Sequence, residues 1–215
     1  MNKDLIEYYK ERAKEYEKIY EKRERQEELD WATKILQEIF FDKDVLELAC
    51  GTGYWTERIA KTARSILATD INEAVIDIAR QKIFSKASVN FQVQNIFNLN
   101  PEYKYDNLFA GFIWSHIKLQ DMDNFLSIMH NCVNPGGTIV FMDNNFVADS
   151  SRPITETDKQ NNTYQARQLE NGKDYLVLKN FPTQAAIRET LGNKVRDITF
   201  HSLKYYWLVS YKAII

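Results

Sequence analysis

The polar and apolar positions of the chain fall into three unlike stretches. Between residues 3 and 28 charge dominates, with eight basic and nine acidic side chains and neither glycine nor proline. Leu5, Tyr8, Tyr9, Tyr16, Ile19 and Tyr20 draw a narrow apolar stripe of helical period through this segment. Glu7/Lys10, Glu11/Lys14 and Glu15/Lys18 add opposite-charge pairs at helical spacing. The pattern predicts an exposed amphipathic helix with an aromatic seam, within a helical cap over residues 1–40. Such a helix serves either as an edge element docked by its tyrosines or as a lid over a pocket.

From residue 44 the rhythm changes. Short apolar runs of strand length, at 45–48, 65–69, 89–94, 106–114 and 138–142, alternate with segments of helical period. The last of these, with Met122, Phe125, Leu126, Met129 and Val133 on one side, is stopped by Asn134-Pro135-Gly136-Gly137. Five such alternations predict an α/β fold: a doubly wound, mostly parallel sheet with right-handed crossovers. After residue 145 the alternation ends. Residues 163–169 and 175–178 flank an Asn171-Gly172 turn and predict a β-hairpin inside an insertion over 145–180. Thr183 caps a short helix, and two strands near 195–201 and 203–212 close the chain. One domain over residues 1–215 is expected.

Composition narrows the function. Lys plus Arg (28) nearly balances Asp plus Glu (30), for a net charge of −2, so no global field collects nucleic acid or anionic lipid. No apolar run approaches the roughly 20 residues of a membrane span. The opening residues lack the apolar run of a signal peptide, and a cytoplasmic location is expected. Two cysteines form no disulfide framework or CxxC motif, and no metal site is expected. Cys50 has no base nearby in sequence and is expected to be a packed residue.

The informative constellation is VLELACGTG at 45–53, a strand that ends in a Gly51-x-Gly53 turn and leads into a helix. Ligands of open α/β sheets bind beyond the carboxyl ends of the strands. A turn without Cβ atoms lets the backbone approach such a ligand closely. Asp70, at the end of the next strand, stands where an acid accepts both hydroxyl hydrogens of a ribose. A dinucleotide fingerprint needs a third glycine, and Thr56 occupies that place after Tyr54 and Trp55. A nucleoside cofactor without pyrophosphate needs the acid but not the third glycine.

The sequence resembles the class I S-adenosylmethionine-dependent methyltransferases. VLELACGTG (45–53) is similar to their first motif and ATDIN (68–72) to their second. QNIFNL (94–99), YDNLFAGFIWSH (105–116) and VNPGGTIVFMDN (133–144) follow in the family's order. The resemblance implies a seven-stranded Rossmann-like sheet with an antiparallel last strand, S-adenosyl-L-methionine as cofactor, and methyl transfer to oxygen, nitrogen or sulfur of a small-molecule acceptor. It implies cofactor-binding roles for Glu47, Leu48, Ala49, Gly51, Gly53, Trp55, Asp70, Ile71, Asn95, Ile96 and Trp114. Arg12 is expected to meet the cofactor's carboxylate, with Tyr8 and Tyr16 bordering the pocket. His116 is the histidine placed to act as a general base, or else to shape the pocket. Asn95 departs from the family's frequent aspartate, and Ala49 from a frequent glycine. Trp114-Ser115-His116 lacks the Asn/Asp-Pro-Pro-Tyr signature of amino-methylating DNA enzymes, which speaks against a nucleic-acid substrate. Two rival functions stay open: a nicotinamide-dependent oxidoreductase, and an adenosyl-ligand-binding protein without catalysis.

Overall fold

The computed structural model describes residues 3–84, 86–99 and 103–214. Residues 1 and 2 of the expected cap and residue 215 of the expected domain lie outside them.

Five strands, β1 (Asp44–Leu48), β2 (Ser65–Asp70), β3 (Ser88–Val93), β4 (Tyr105–Gly111) and β5 (Val133–Asn144), form the parallel part of the main sheet. The insertion adds β6 (Glu156–Thr157), β7 (Thr163–Gln168) and β8 (Asp174–Leu178), which make a separate antiparallel sheet. β9 (Val195–Ser202) and β10 (Tyr206–Ala213) complete the main sheet in the order β3-β2-β1-β4-β5-β10-β9. β10 runs antiparallel to both neighbours. The expected α/β, doubly wound, Rossmann-like sheet of seven strands is therefore the observed one. Strand order reverses between β1 and β4, which opens a crevice at their carboxyl ends.

Among the described residues six α-helices accompany the strands: α1 (Lys3–Glu11), α2 (Gln26–Ile39), α3 (Tyr54–Ile59), α4 (Glu73–Ala79), α5 (Met122–Asn131) and α6 (Gln184–Leu191). The pleat sends alternate residues to opposite faces of the sheet. Leu46, Leu108 and Phe141 join α5 and α6 in one apolar cluster. Val45, Phe109 and Val140 join α2, α3 and α4 in the other. Thr183 caps α6 by accepting from the Ala186 amide at 3.2 Å, as its sequence position predicts. No helix among the described residues is long and apolar enough to cross a membrane.

Two local expectations change. The single helix over 3–28 is broken: α1 ends at Glu11, and residues 13–20 and 23–25 wind as 3-10 turns. Ala13, Tyr16 and Ile19 are spaced by threes, and a three-residue turn places them in one row against the protein. At the other site, Pro135-Gly136-Gly137 lies inside β5 rather than before it. A Cβ on Gly137 would stand 2.5 Å from the Asp106 carbonyl oxygen, so glycine allows the strand to run through this close approach.

Candidate functional site

The site begins at the turn after β1. Ala49 (φ 52°), Gly51 (φ 55°) and Gly53 (φ 80°) all adopt left-handed backbone, so the chain reverses within five residues. The Cys50 amide donates to the Thr69 carbonyl at 2.9 Å, which ties the turn to β2. Asp70 ends β2 beside it. Its Oδ2 accepts from the Gly51 amide at 3.0 Å and its Oδ1 from the Asn72 amide at 2.9 Å. Each oxygen keeps a second lone pair for a ligand. Burial pushes the Asp70 carboxyl up, while the backbone amides pull it the other way.

Against this turn lies a cavity that is partly open to solvent. Ala49, Gly51, Asp70, Ile71 and Ile96 form its inner wall, and Leu5, Tyr9 and Tyr16 from the N-terminal segment cover it. The cover is tied down on both sides. Glu17 accepts from Thr52 Oγ1 at 2.8 Å and from Lys82 Nζ at 2.7 Å, and the Ile6 carbonyl accepts from Asn72 Nδ2 at 3.1 Å. On the far side Glu11 pairs with Lys173, and Tyr8 packs edge-on against Tyr175 at 5.7 Å.

A second chamber, also open to solvent, adjoins the first and shares lining residues with it. Tyr9, Tyr16, Phe112 and His116 line both and form the wall between them. The His116 hydrogen bonds define its chemistry. Nδ1 lies 2.5 Å from the Leu178 carbonyl, which only accepts, so this nitrogen carries the proton. Burial, with Lys179 and Arg167 nearby, pushes the imidazolium pKa down to about 3, so the ring is neutral. Nε2 is then an acceptor, and the Tyr9 hydroxyl donates to it at 2.8 Å. Both ring nitrogens are engaged within the protein.

The remaining residues of the expected set surround the cavity without lining it. Leu48, Gly53, Trp55 and Trp114 are buried or close-packed behind it: Trp114 meets Phe141 and Trp207, and Trp55 meets Tyr20. Asn95 accepts from the Phe97 amide at 3.0 Å and caps a 3-10 turn. Glu47 is 1% exposed, one of its carboxyl oxygens has no hydrogen-bond partner, and burial pushes its pKa up to about 8. Arg12 and Tyr8 open on the second chamber. Cys50 is buried. His130 pairs with the Tyr211 hydroxyl at 3.1 Å, and His201 packs edge-on against Trp31.

Comparison with known proteins accords with this geometry. Residues 45–137 match the sequence model of the methyltransferase domain family. Two complexes of DhpI, one with SAH and one with SAM and HEP, share the fold. Each has a TM-score of 0.81 at 24% identity, over 98% and 99% of this chain and 95% and 99% of theirs. Residues 45–137 thus carry the likeness to the methyltransferase domain family, and the whole chain shares the fold of the two complexes. Among curated relatives, the malonyl-[acyl-carrier protein] O-methyltransferase 1 of Ilyobacter polytropus is 32% identical over 102 residues, 46% of this chain and 37% of that protein. A ubiquinone/menaquinone biosynthesis C-methyltransferase of Wigglesworthia glossinidia brevipalpis is 28% identical over 124 residues, 54% of this chain and 46% of its own length. The chain thus spans less than half the length of these curated relatives.

Sequence reading passed over Tyr9, Phe112, Arg25, Arg167 and Lys179, all of which line one or both chambers. A signal existed for Tyr9, which stands seven residues before Tyr16, two helical turns along the same face. Nothing in the sequence marks Arg167 and Lys179, because the fold alone brings β7 and β8 to this place.

Proposed function

We propose that the chain transfers a methyl group from S-adenosylmethionine to oxygen, nitrogen or sulfur of a small-molecule acceptor. One observation carries the reading: the cavity over Gly51 and Asp70 adjoins a second chamber across the shared wall of Tyr9, Tyr16, Phe112 and His116. A bound cofactor in the first and an acceptor in the second meet at that wall. The residues fit the cofactor. Asp70 has free lone pairs for ribose hydroxyls, and Ile71 and Ile96 offer apolar surface to a base. Glu47 is a buried acid with an unpartnered oxygen, suited to an amino group directly or through water.

S-adenosylmethionine supplies, when bound, a methyl group activated on a sulfonium. The work of this chain is then to bind, align and exclude water, since proximity and orientation provide most of such a displacement. Tyr9 and Tyr16 present aromatic surface at the wall, where ring faces attract a cation. His116 holds Tyr9 in place. Any proton it took from an acceptor would pass through the Tyr9 hydroxyl, because that hydroxyl stands on Nε2. Arg12 belongs in this reading to the acceptor side.

Calorimetric titration with S-adenosylhomocysteine tests the proposal. Binding is expected for the native chain, and Asp70→Ala is expected to weaken it about 10- to 100-fold, the worth of hydrogen bonds to a charged acceptor. NAD is expected to give no heat. Absence of heat from S-adenosylhomocysteine, or full affinity in Asp70→Ala, would end this reading.

A further inference from the structure

The second chamber carries a charge pattern that the balanced composition conceals. Among the described residues six basic side chains line it, Arg12, Lys22, Arg25, Arg152, Arg167 and Lys179, and no carboxylate does. Lys179 is already paired, donating to Asp143 Oδ1 at 2.8 Å. Arg12, Arg25 and Arg167 form no ion pair with any described carboxylate. Arg167 is only 9% exposed, and its Nε has no hydrogen-bond partner. Its other nitrogens are held in place: Nη2 donates to Gln165 Oε1 at 2.9 Å, and Nη1 reaches the Tyr9 hydroxyl at 3.5 Å. Arg25 repeats the arrangement. Its Nε is buried without a partner, Nη2 donates to Ser150 Oγ at 2.7 Å, and its guanidinium lies over the Tyr205 ring at 5.1 Å.

A buried guanidinium without an anion is costly to the folded protein unless a ligand supplies the missing charge. Two guanidiniums with an unpartnered Nε, Arg167 buried and Arg25 half-buried, line one chamber. We propose that this chamber receives the methyl acceptor as an oxyanion, a carboxylate or phosphoryl group, gripped by Arg167 and Arg25 with Arg12 beside them. The inference rests on the methyltransferase reading and adds the acceptor's chemical class. Guanidinium forks match the paired oxygens of both groups, which is why the two share one site. An amine acceptor in its ammonium form would be repelled here, and a neutral one would leave the arginines unpartnered.

The anionic class also fits the wall. An oxyanion oxygen forms the new carbon–oxygen bond with its own lone pair. The carbon–sulfur bond breaks with its electron pair going to sulfur, the acceptor loses one negative charge, and no proton moves. No general base is required, in keeping with a His116 whose two nitrogens are both engaged. The product carries one charge fewer than the acceptor, so the same arginines hold it less tightly and favour its release.

The test uses the full chain saturated with S-adenosylhomocysteine and titrated in a calorimeter with inorganic phosphate, acetate and ethylamine in turn. At least one of the two anions is expected to bind, and the tighter one identifies the source of the oxyanion. Arg167→Gln is expected to weaken that anion tenfold or more while leaving S-adenosylhomocysteine affinity within twofold. Arg25→Gln, at a half-buried site that tolerates change better, is expected to do the same. If S-adenosylhomocysteine binds but neither anion does, or if anion affinity survives both substitutions, the oxyanion proposal fails alone. If S-adenosylhomocysteine does not bind, the acceptor role falls together with the methyltransferase reading.

Discussion

Glu47 shows how much one position can carry. It alternates with Val45 toward the face covered by α2 and α3, and it is the buried acid of a strand otherwise apolar over its last four residues. Burial raises its carboxyl from an ordinary 4.5 to about 8, so the folded chain binds this proton more tightly than the unfolded chain does. Stability from this group is then full below pH 4.5 and is lost as pH rises through 8. Glu47→Gln removes the titration, and free protein carrying it is expected to gain about 2–4 kcal/mol at pH 8.5 and little at pH 5. Urea melts at both pH values check this, and parallel shifts at the two would refute it. Asp70 and Gly51 were legible in the sequence because their roles are local, set by a turn and the strand beside it. The helical spacing to Tyr16 pointed to Tyr9 but did not set it apart from Tyr8, which has the same chemistry, and only the break after Glu11 settles which ring faces the site.

At the scale of elements, the turn between β1 and α3 has two glycines with different burdens. A Cβ on Gly53 would meet the Ala79 Cβ of α4 at 3.0 Å, at a φ of 80°. Gly53→Ala is therefore expected to destabilise the fold by about 2–4 kcal/mol, combining left-handed strain with a clash between helix and turn. A Cβ on Gly51 meets only the Tyr16 ring, at an ordinary 3.6 Å. Gly51→Ala should cost about 1–2 kcal/mol, the strain alone. Thermal melts of the pair check the ranking, and equal losses would overturn it. The N-terminal cover belongs to this scale as well. Its helical character could be read from the tyrosine stripe, whereas its 3-10 stretch follows from the three-residue spacing of the row it buries.

For the molecule as a whole, the contact that matters most joins the insertion to the sheet. Lys179, just after β8, donates to Asp143 on β5, to Ser115 Oγ at 2.6 Å and to Asn144 Oδ1 at 3.0 Å. Burial opposes the charge on Asp143, yet the Lys179 ammonium and the Ser115 amide hold its carboxyl below the usual range, while burial pushes the Lys179 ammonium down. Removing one partner of such a pair leaves the other charged and dry. Lys179→Met is expected to lower stability by about 3–5 kcal/mol, a fall in Tm of roughly 6–20 °C for a chain of this size. A Tm within a few degrees of the native value would show that the pair is solvated. The same pair anchors β7 and β8, and with them Arg167, over the second chamber.

The sequence by itself determined the alternating sheet, the glycine turn and the acid on the neighbouring strand, because hydrophobic period and turn chemistry act over a few residues. Only the tertiary structure decided what stands opposite that turn. Tyr9, His116 and the insertion's Arg167 and Lys179 come from three distant segments, and their meeting depends on how that insertion and an N-terminal helix pack over the crevice. Charge that cancels along the chain separates in space, leaving one chamber lined by cations, and no count of residues contains that separation.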